Sequence, residues 1–162
     1  MSKFIFTFSL FMILWVGLTS STNFQELIAG VILSLVVASF AFRTFTDEGL
    51  AFFKPKKLFY IIKYLLVFIK ALIVANLDVA RRVISPRLPI NPGIVIYETR
   101  LKNDTAKVIL ANSITLTPGT LTVDIIDNKL FIHWIDVKST ESKTIYREIG
   151  EAFEKILREI FE

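Results

Sequence analysis

Three apolar runs, at residues 4–18, 27–45 and 58–84, leave this chain few ways to fold. Backbone N–H and C=O groups inside hydrocarbon find no water, so such runs close their hydrogen bonds within helices. At about 1.5 Å per residue the first two give helices of roughly 25–30 Å, enough for a thin or locally deformed bilayer. The bias is visible in the whole chain: 53% of its 162 residues are hydrophobic, where an ordinary soluble domain carries about 45–50%. Residues 86–162 differ. They mix charges with short apolar stretches, and they number only about 75, near the lower limit for an independent core. The expected fold is a membrane protein with N-terminal transmembrane helices plus a C-terminal α+β domain, divided into a membrane region at 1–85 and a soluble domain at 86–162.

Charge sets the expected orientation. The connection at residues 20–26 has no Lys or Arg, whereas Lys3, Arg43, Lys54, Lys56 and Lys57 collect at the opposite ends of the two runs. The positive-inside rule then places both ends of a two-helix hairpin, about 4–20 and 27–45, in the cytoplasm of a multi-pass cell-membrane protein, and the C-terminal domain with them. A cation, an apolar stretch and small residues would also describe a signal peptide. The second run, which comes almost at once, favours a first helix that stays attached. The formal net charge of +4 fits basic residues facing anionic lipid, so membrane lipids and not nucleic acid are the expected partners.

The third run predicts a helix at 57–84 of a different kind. At about 100° per residue, Lys56, Lys63, Lys70 and Arg81 fall in a narrow arc, with Tyr60 and Asp78 on its flank. A basic stripe beside an apolar remainder suits a helix in the headgroup plane, or one packed on protein along one side. A spanning helix would leave either Arg81 and Arg82 or the basic residues at 54–57 outside, so two spans plus an interfacial helix is favoured and three spans is the alternative. Ionisable residues at membrane depth are functional candidates by default, which singles out Lys63, Lys70 and Asp78 as relay groups. The plainer reading has the lysines snorkel to phosphate and Asp78 pair with Arg81 or Arg82.

Pro86, Pro89 and Pro92 break the third helix, since each lacks an amide donor. Beyond them the pattern reads β-α-β-β-α. A β-branched strand at 93–98 is followed by a helix at 105–116 with an Asn103-Asp104 cap. A strand at 120–126 then alternates Leu121, Val123 and Ile125 against Thr120, Thr122 and Asp124. Asp127-Asn128 turns it into a strand at 130–135. The last helix, 144–161, carries an apolar stripe and an outer face with Glu151/Lys155 and Glu154/Arg158 pairs at i,i+4. This order predicts a two-layer sandwich with the helices on one sheet face.

Little in this half resembles catalytic chemistry. With no Cys and a single His, His133, a metal site lacks ligands. Asp124, Asp127 and Asp136 lie at turns and strand ends, where aspartates are usually solvated. No phosphate-cradling Gly loop is present. An enzyme, a cofactor and a metal are accordingly not expected. The segment ANSITLTPGTLTVDI at 111–125 is the exception to this plainness. Four threonines surround Pro118-Gly119 where a helix must become a strand. Their hydroxyls suit helix-end carbonyls and strand-start amides, although four exceed what capping requires.

That segment resembles the signature of the E subunit of Mrp-type multisubunit Na+/H+ antiporters, a family with homologous subunits in archaeal membrane-bound hydrogenase and sulfane reductase complexes. ANLDV at 75–79, PRL at 86–88, NPGI at 91–94 and HWIDV at 133–137 agree with it. The resemblance implies a non-catalytic accessory subunit, partnered by the other subunits of an antiporter or respiratory complex and needed for its assembly and ion exchange. It singles out Thr115, Thr117, Pro118, Gly119, Thr120 and Asp124 as motif residues. They are expected to fix a docking turn, with ligation of a hard cation such as Na+ by threonine and carbonyl oxygens as a second role. A stand-alone membrane-tethered module that recruits a soluble partner is the alternative to a complex subunit.

Overall fold

Small side chains draw the first two helices together. In the computed structural model, which describes residues 1–42 and 54–162, α1 (Ser2–Thr19) packs on α2 (Phe24–Ala41) as a hairpin. The buried residues of α2 are Gly30, Ser34 and Ala38. Spaced four apart, they share one face, and residues of this size let helix backbones approach closely in lipid. Trp15 lies over Gly30, where an added Cβ would collide with its ring, and its Nε1 donates to the Glu26 carbonyl at 2.9 Å. The rest of the hairpin surface is apolar and open, with Phe40 86% exposed and Ile13 70%, as lipid solvation requires. Both helices start earlier than hydropathy suggested; the end of the expected second span, residues 43–45, lies outside the described residues.

α3 (Pro55–Ile84) is also long and apolar enough to cross a membrane. By packing, however, it belongs with the C-terminal half: the chain forms two compact units, Met1–Leu58 and Phe59–Glu162. Tyr64, Val67, Phe68 and Ala71 pack against the core of the α/β domain. Spaced three and four apart, they line one side of the helix.

That domain contains a three-stranded antiparallel sheet ordered β1-β3-β2. Its strands are β1 (Gly93–Glu98), β2 (Thr120–Ile126) and β3 (Lys129–Trp134). β1 and β2 run the same way with β3 between them, and α4 (Asp104–Leu116) carries the chain from one to the other. Asn103 caps α4 by accepting the Ala106 amide at 3.0 Å, and Asp127 makes the β2–β3 turn at φ 55°. The last helix begins as α5 (Ser142–Ile145), passes through a π-helical turn (Tyr146–Gly150), and continues as α6 (Glu151–Phe161). The core lies between sheet and helices, with Val95, Tyr97, Leu130, Ile132 and Trp134 facing Leu110, Ile114, Phe153 and Leu157. The other sheet face is apolar but open, with Ile94 65% and Val123 58% exposed.

The expected alternation in β2 breaks at one point. The register with β3 shifts between Thr122 and Asp124, a bulge that inserts a residue and turns the strand over. Leu121 and Val123 are exposed, while Ile125 packs on the core and is not on their face.

Glu154 departs further from the expected pattern. Its i,i+4 spacing to Arg158 suggested a surface pair, yet Glu154 is 0% exposed. One carboxylate oxygen accepts from the Tyr97 hydroxyl at 2.9 Å and the Thr99 hydroxyl at 2.8 Å. The other accepts from the Arg100 amide at 3.0 Å and, more loosely, from Tyr146 and Arg158. A buried charge is tolerable when so fully bonded. The π turn supports this arrangement: Tyr146 stacks on Tyr97 at 5.5 Å, and Gly150 leaves no room for a Cβ beside the Tyr97 ring.

This buried centre makes two outcomes measurable. Glu154→Ala should lower unfolding stability by about 3 kcal/mol, because it strands two hydroxyls and an amide; denaturation of the full chain in detergent measures it. Burial first, and the Glu154 carboxylate second, push the Tyr97 phenol above its ordinary value. The folded ring therefore stays protonated where an unfolded one ionises, so stability is complete below pH about 10 and falls as pH rises beyond it. Tyr97→Phe should flatten that alkaline loss.

Candidate functional site

The Thr-rich segment gathers around the end of α4. The last carbonyls of a helix lack intrahelical donors; here the Thr117 amide reaches those of Ser113 and Ile114, and threonine hydroxyls add further donors. Thr117 donates to the Ser113 carbonyl at 2.8 Å. Thr120 donates to Ile114 at 2.7 Å and to Thr117 at 2.9 Å, and Thr122 donates to Ala111 at 3.1 Å. In the reverse sense the Thr115 hydroxyl accepts the Thr122 amide at 3.0 Å. Helix and strand are joined by side chains as well as by the turn. Because β2 turns its threonines and not Leu121 and Val123 toward α4, the polar face of the strand is the inner one here.

Pro118-Gly119 forms the turn itself, and Gly119 sits at φ 93°, where a side chain is strained. The turn faces α3: a Cβ on Gly119 would meet Ile135 at 3.0 Å and Val79 at 3.7 Å. Below it Arg82 ties α3 to the domain. Its Nε donates to Asp78 at 2.7 Å, and its Nη1 donates to Asp136 at 2.9 Å and to the Pro89 carbonyl at 2.6 Å. Asn91 completes the junction. It exchanges backbone bonds with Ile135 at 3.0 Å and Val137 at 2.8 Å, and its side-chain amide donates to the Val137 carbonyl at 2.9 Å. A groove of about 380 Å³ runs beside these residues, lined by Ala75, Asp78, Arg82, the Thr117–Thr120 turn, Asp136 and Phe153 among others. Further along α3, Tyr64 hydrogen-bonds Ser113 of α4 and meets Phe153 edge-on at 6.0 Å.

The separate sequence motifs thus converge. ANLDV supplies Asp78 and Val79, the segment around PRL and NPGI supplies Pro89 and Asn91, and HWIDV supplies Ile135, Asp136 and Val137. Four separate segments of the sequence are folded into one place. The profile of the MNHE family, described as a Na+/H+ ion antiporter subunit, matches residues 8–160. The chain belongs to this family. It is 40% identical over 148 residues to the E subunit of the Na(+)/H(+) antiporter of Bacillus subtilis (strain 168), covering 90% of both chains. It is 36% identical over 150 residues to the E subunit from Alkalihalophilus pseudofirmus, covering 91% of both. Among solved structures it resembles a chain of the membrane-bound sulfane sulfur reductase, an archaeal respiratory membrane complex. That match has 49% identity and a TM-score of 0.87, over 99% of this chain and 100% of the other.

The structure sorts the candidate residues of this family member. Thr115, Thr117, Pro118, Gly119 and Thr120 lie together at the turn. Asp124 does not join them: it stands exposed at the bulge and accepts the amide of its neighbour Ile125 at 2.8 Å. Asp78 pairs with Arg82, while Lys63 and Lys70 are exposed on α3, Lys63 over the Tyr60 ring at 5.8 Å. Sequence reasoning missed the reach of Arg82 to Asp136, which looked like an ordinary strand-end aspartate. The shared Asp in ANLDV and HWIDV was the available signal.

Thr120→Val keeps the shape of the side chain but removes a donor from two carbonyls, and should destabilise the full chain by about 1–2 kcal/mol. Asp124→Asn in the same denaturation series should stay within about 0.5 kcal/mol of wild type.

Proposed function

We propose that this chain is a structural subunit of a multisubunit Na+/H+ antiport module, free-standing or built into a respiratory complex, and that it is needed for assembly and ion exchange. Membership of the antiporter-subunit family over nearly the whole chain carries this reading. As an accessory subunit it is non-catalytic, and its partners are other membrane subunits. It is a multi-pass membrane protein. Its basic flanks favour a cytoplasmic domain at 86–162, with α1 and α2 crossing the cell membrane within a membrane region at 1–85. The Thr-Pro-Gly turn would then serve as a brace, since its hydroxyl protons are committed to backbone carbonyls and its surface meets α3. Asp78 has Arg82 as its partner, which supports a structural role over a relay. The alternative of a free-standing module gains no support from the packing: residues 86–162 alone would leave Phe153 without Tyr64 and Phe68.

A tagged chain extracted from membranes in mild detergent should carry antiporter subunits with it, and Pro118→Gly or Arg82→Gln should reduce that yield together with Na+/H+ exchange in vesicles. Recovery as a folded, solitary monomer would overturn the proposal. Orientation has its own check. A cysteine at Ser139 should resist a membrane-impermeant maleimide in intact cells and react after permeabilisation, while one at Ser21 should react in both.

A further inference from the structure

Three sides of α3 have three different characters. One carries Tyr64, Phe68, Ala71, Ala75, Val79 and Arg82, all half-buried, and this side meets the α/β domain from Ser113 and Phe153 at one end to Gly119 and Asp136 at the other. About half a turn around the helix lie Ile62, Leu66, Ile69, Ile73, Leu77 and Ile84, which are between 43% and 81% exposed. A quarter turn from both sides runs the row Lys56, Lys63, Lys70 and Arg81, exposed along its length.

We propose that α3 is an in-plane membrane helix: its apolar side sits at the acyl boundary, its basic row meets the phosphates of anionic lipid headgroups, and the α/β domain hangs from its third side. The domain contact runs from Tyr64 to Arg82, about 27 Å of helix at 1.5 Å per residue. Were α3 to span, that contact would draw α4 and α6, with the Lys155–Glu151 pair at 2.9 Å beside Phe153, to hydrocarbon depth, where ionised groups are costly. Lying flat, the helix solvates each of these three sides. The apolar residues enter lipid, the lysine stems go with them while their charges stay at the phosphate level, and the domain stays in water. The inference rests on the hairpin of α1 and α2 but not on the identity of the host complex.

The chain has no Cys, so a single introduced cysteine gives a unique label. With an environment-sensitive fluorophore at Ile62→Cys, Ile69→Cys, Ile73→Cys or Leu77→Cys, the full chain would be reconstituted in phosphatidylcholine vesicles with or without one-third phosphatidylglycerol. Depth would be read from quenching by brominated lipids. All four labels should lie at one shallow depth, whereas a spanning helix would separate positions 62 and 77 by about 22 Å. Phosphatidylglycerol should increase quenching at 69, and Lys63→Gln with Lys70→Gln should abolish that increase. A depth that steps through the midplane overturns the proposal, as do labels open to water or protected only when partner subunits are present. Quenching that ignores lipid charge overturns the headgroup assignment. A Leu33→Cys label on α2 separates the causes: if it is deep while the α3 labels are wet, α3 alone was misjudged; if it too is wet, the hairpin reading fails first.

Discussion

The side of α3 that carries Tyr64 and Phe68 is where the α/β domain is anchored. About 75 residues of α/β domain bury a small core, and stability for such a domain amounts to only about 4–11 kcal/mol. Half-burying an aromatic or branched side chain contributes roughly 1 kcal/mol, so the stripe from Tyr64 to Ala71 supplies a substantial part of the total. The Tyr64 and Phe68 rings of α3 both stand against Phe153, which makes α6 dependent on side chains more than eighty positions away in sequence. The domain and α3 are therefore one folding unit, although the three prolines between them look like a linker.

Two polar centres hold this unit, and they solve the same problem at opposite ends. At the end of α4 the groups short of donors are backbone carbonyls, and threonine hydroxyls from the turn and from β2 add to the Thr117 amide there. Threonine suits both duties there, since its β-branch favours the strand while its hydroxyl reaches the helix. At the end of β1 the unpaired groups are donors: two hydroxyls and the Arg100 amide. The answer is a buried acceptor, Glu154, held in place by the π turn. A shorter Asp at 154 would not reach from α6 to Thr99 and Arg100, and an unbroken α-helix would turn Tyr146 away from Tyr97.

Much of this was legible in the sequence, for reasons that also explain the failures. Strand β1, the α4 cap and the Asp127-Asn128 turn depend on neighbours in sequence, and their signals are correspondingly local. The alternation in β2 was legible too, but not which face was inner, because that depends on threonines pairing with carbonyls six and eleven residues back. Nor was the bulge that sends Ile125 inward, since a register shift is a property of two strands and not of one. Glu154 was misread because i,i+4 spacing to an arginine is the pattern of an exposed helix face; only the approach of Tyr97 and Thr99, more than fifty residues earlier, makes the position buried. The candidate site obeyed the same rule. Its threonines were evident from their density at one turn, whereas the partner of Arg82 could not be found without knowing that α3 and β3 meet.

A brace must pass force between parts without yielding, and this limits where its weak points can lie. Arg82 is well placed for that duty, because its planar head divides its donors among a neighbour on its own helix, an aspartate beyond β3 and a carbonyl of the connecting segment. A lysine would gather its three donors on one compact charge, without the fork that sets the Nε and Nη1 bonds apart. Motion of α3 along its axis would have to break the Arg82 bonds and drag Val79 across Gly119 at once, and neither gives way gradually. The Thr-Pro-Gly turn, Asp78 and Val79, Asn91 and Ile135 to Val137 all meet at that junction, and what they hold in common is the angle between α3 and the sheet. A component that sets such an angle does so by packing and hydrogen bonding alone, with no chemistry of its own.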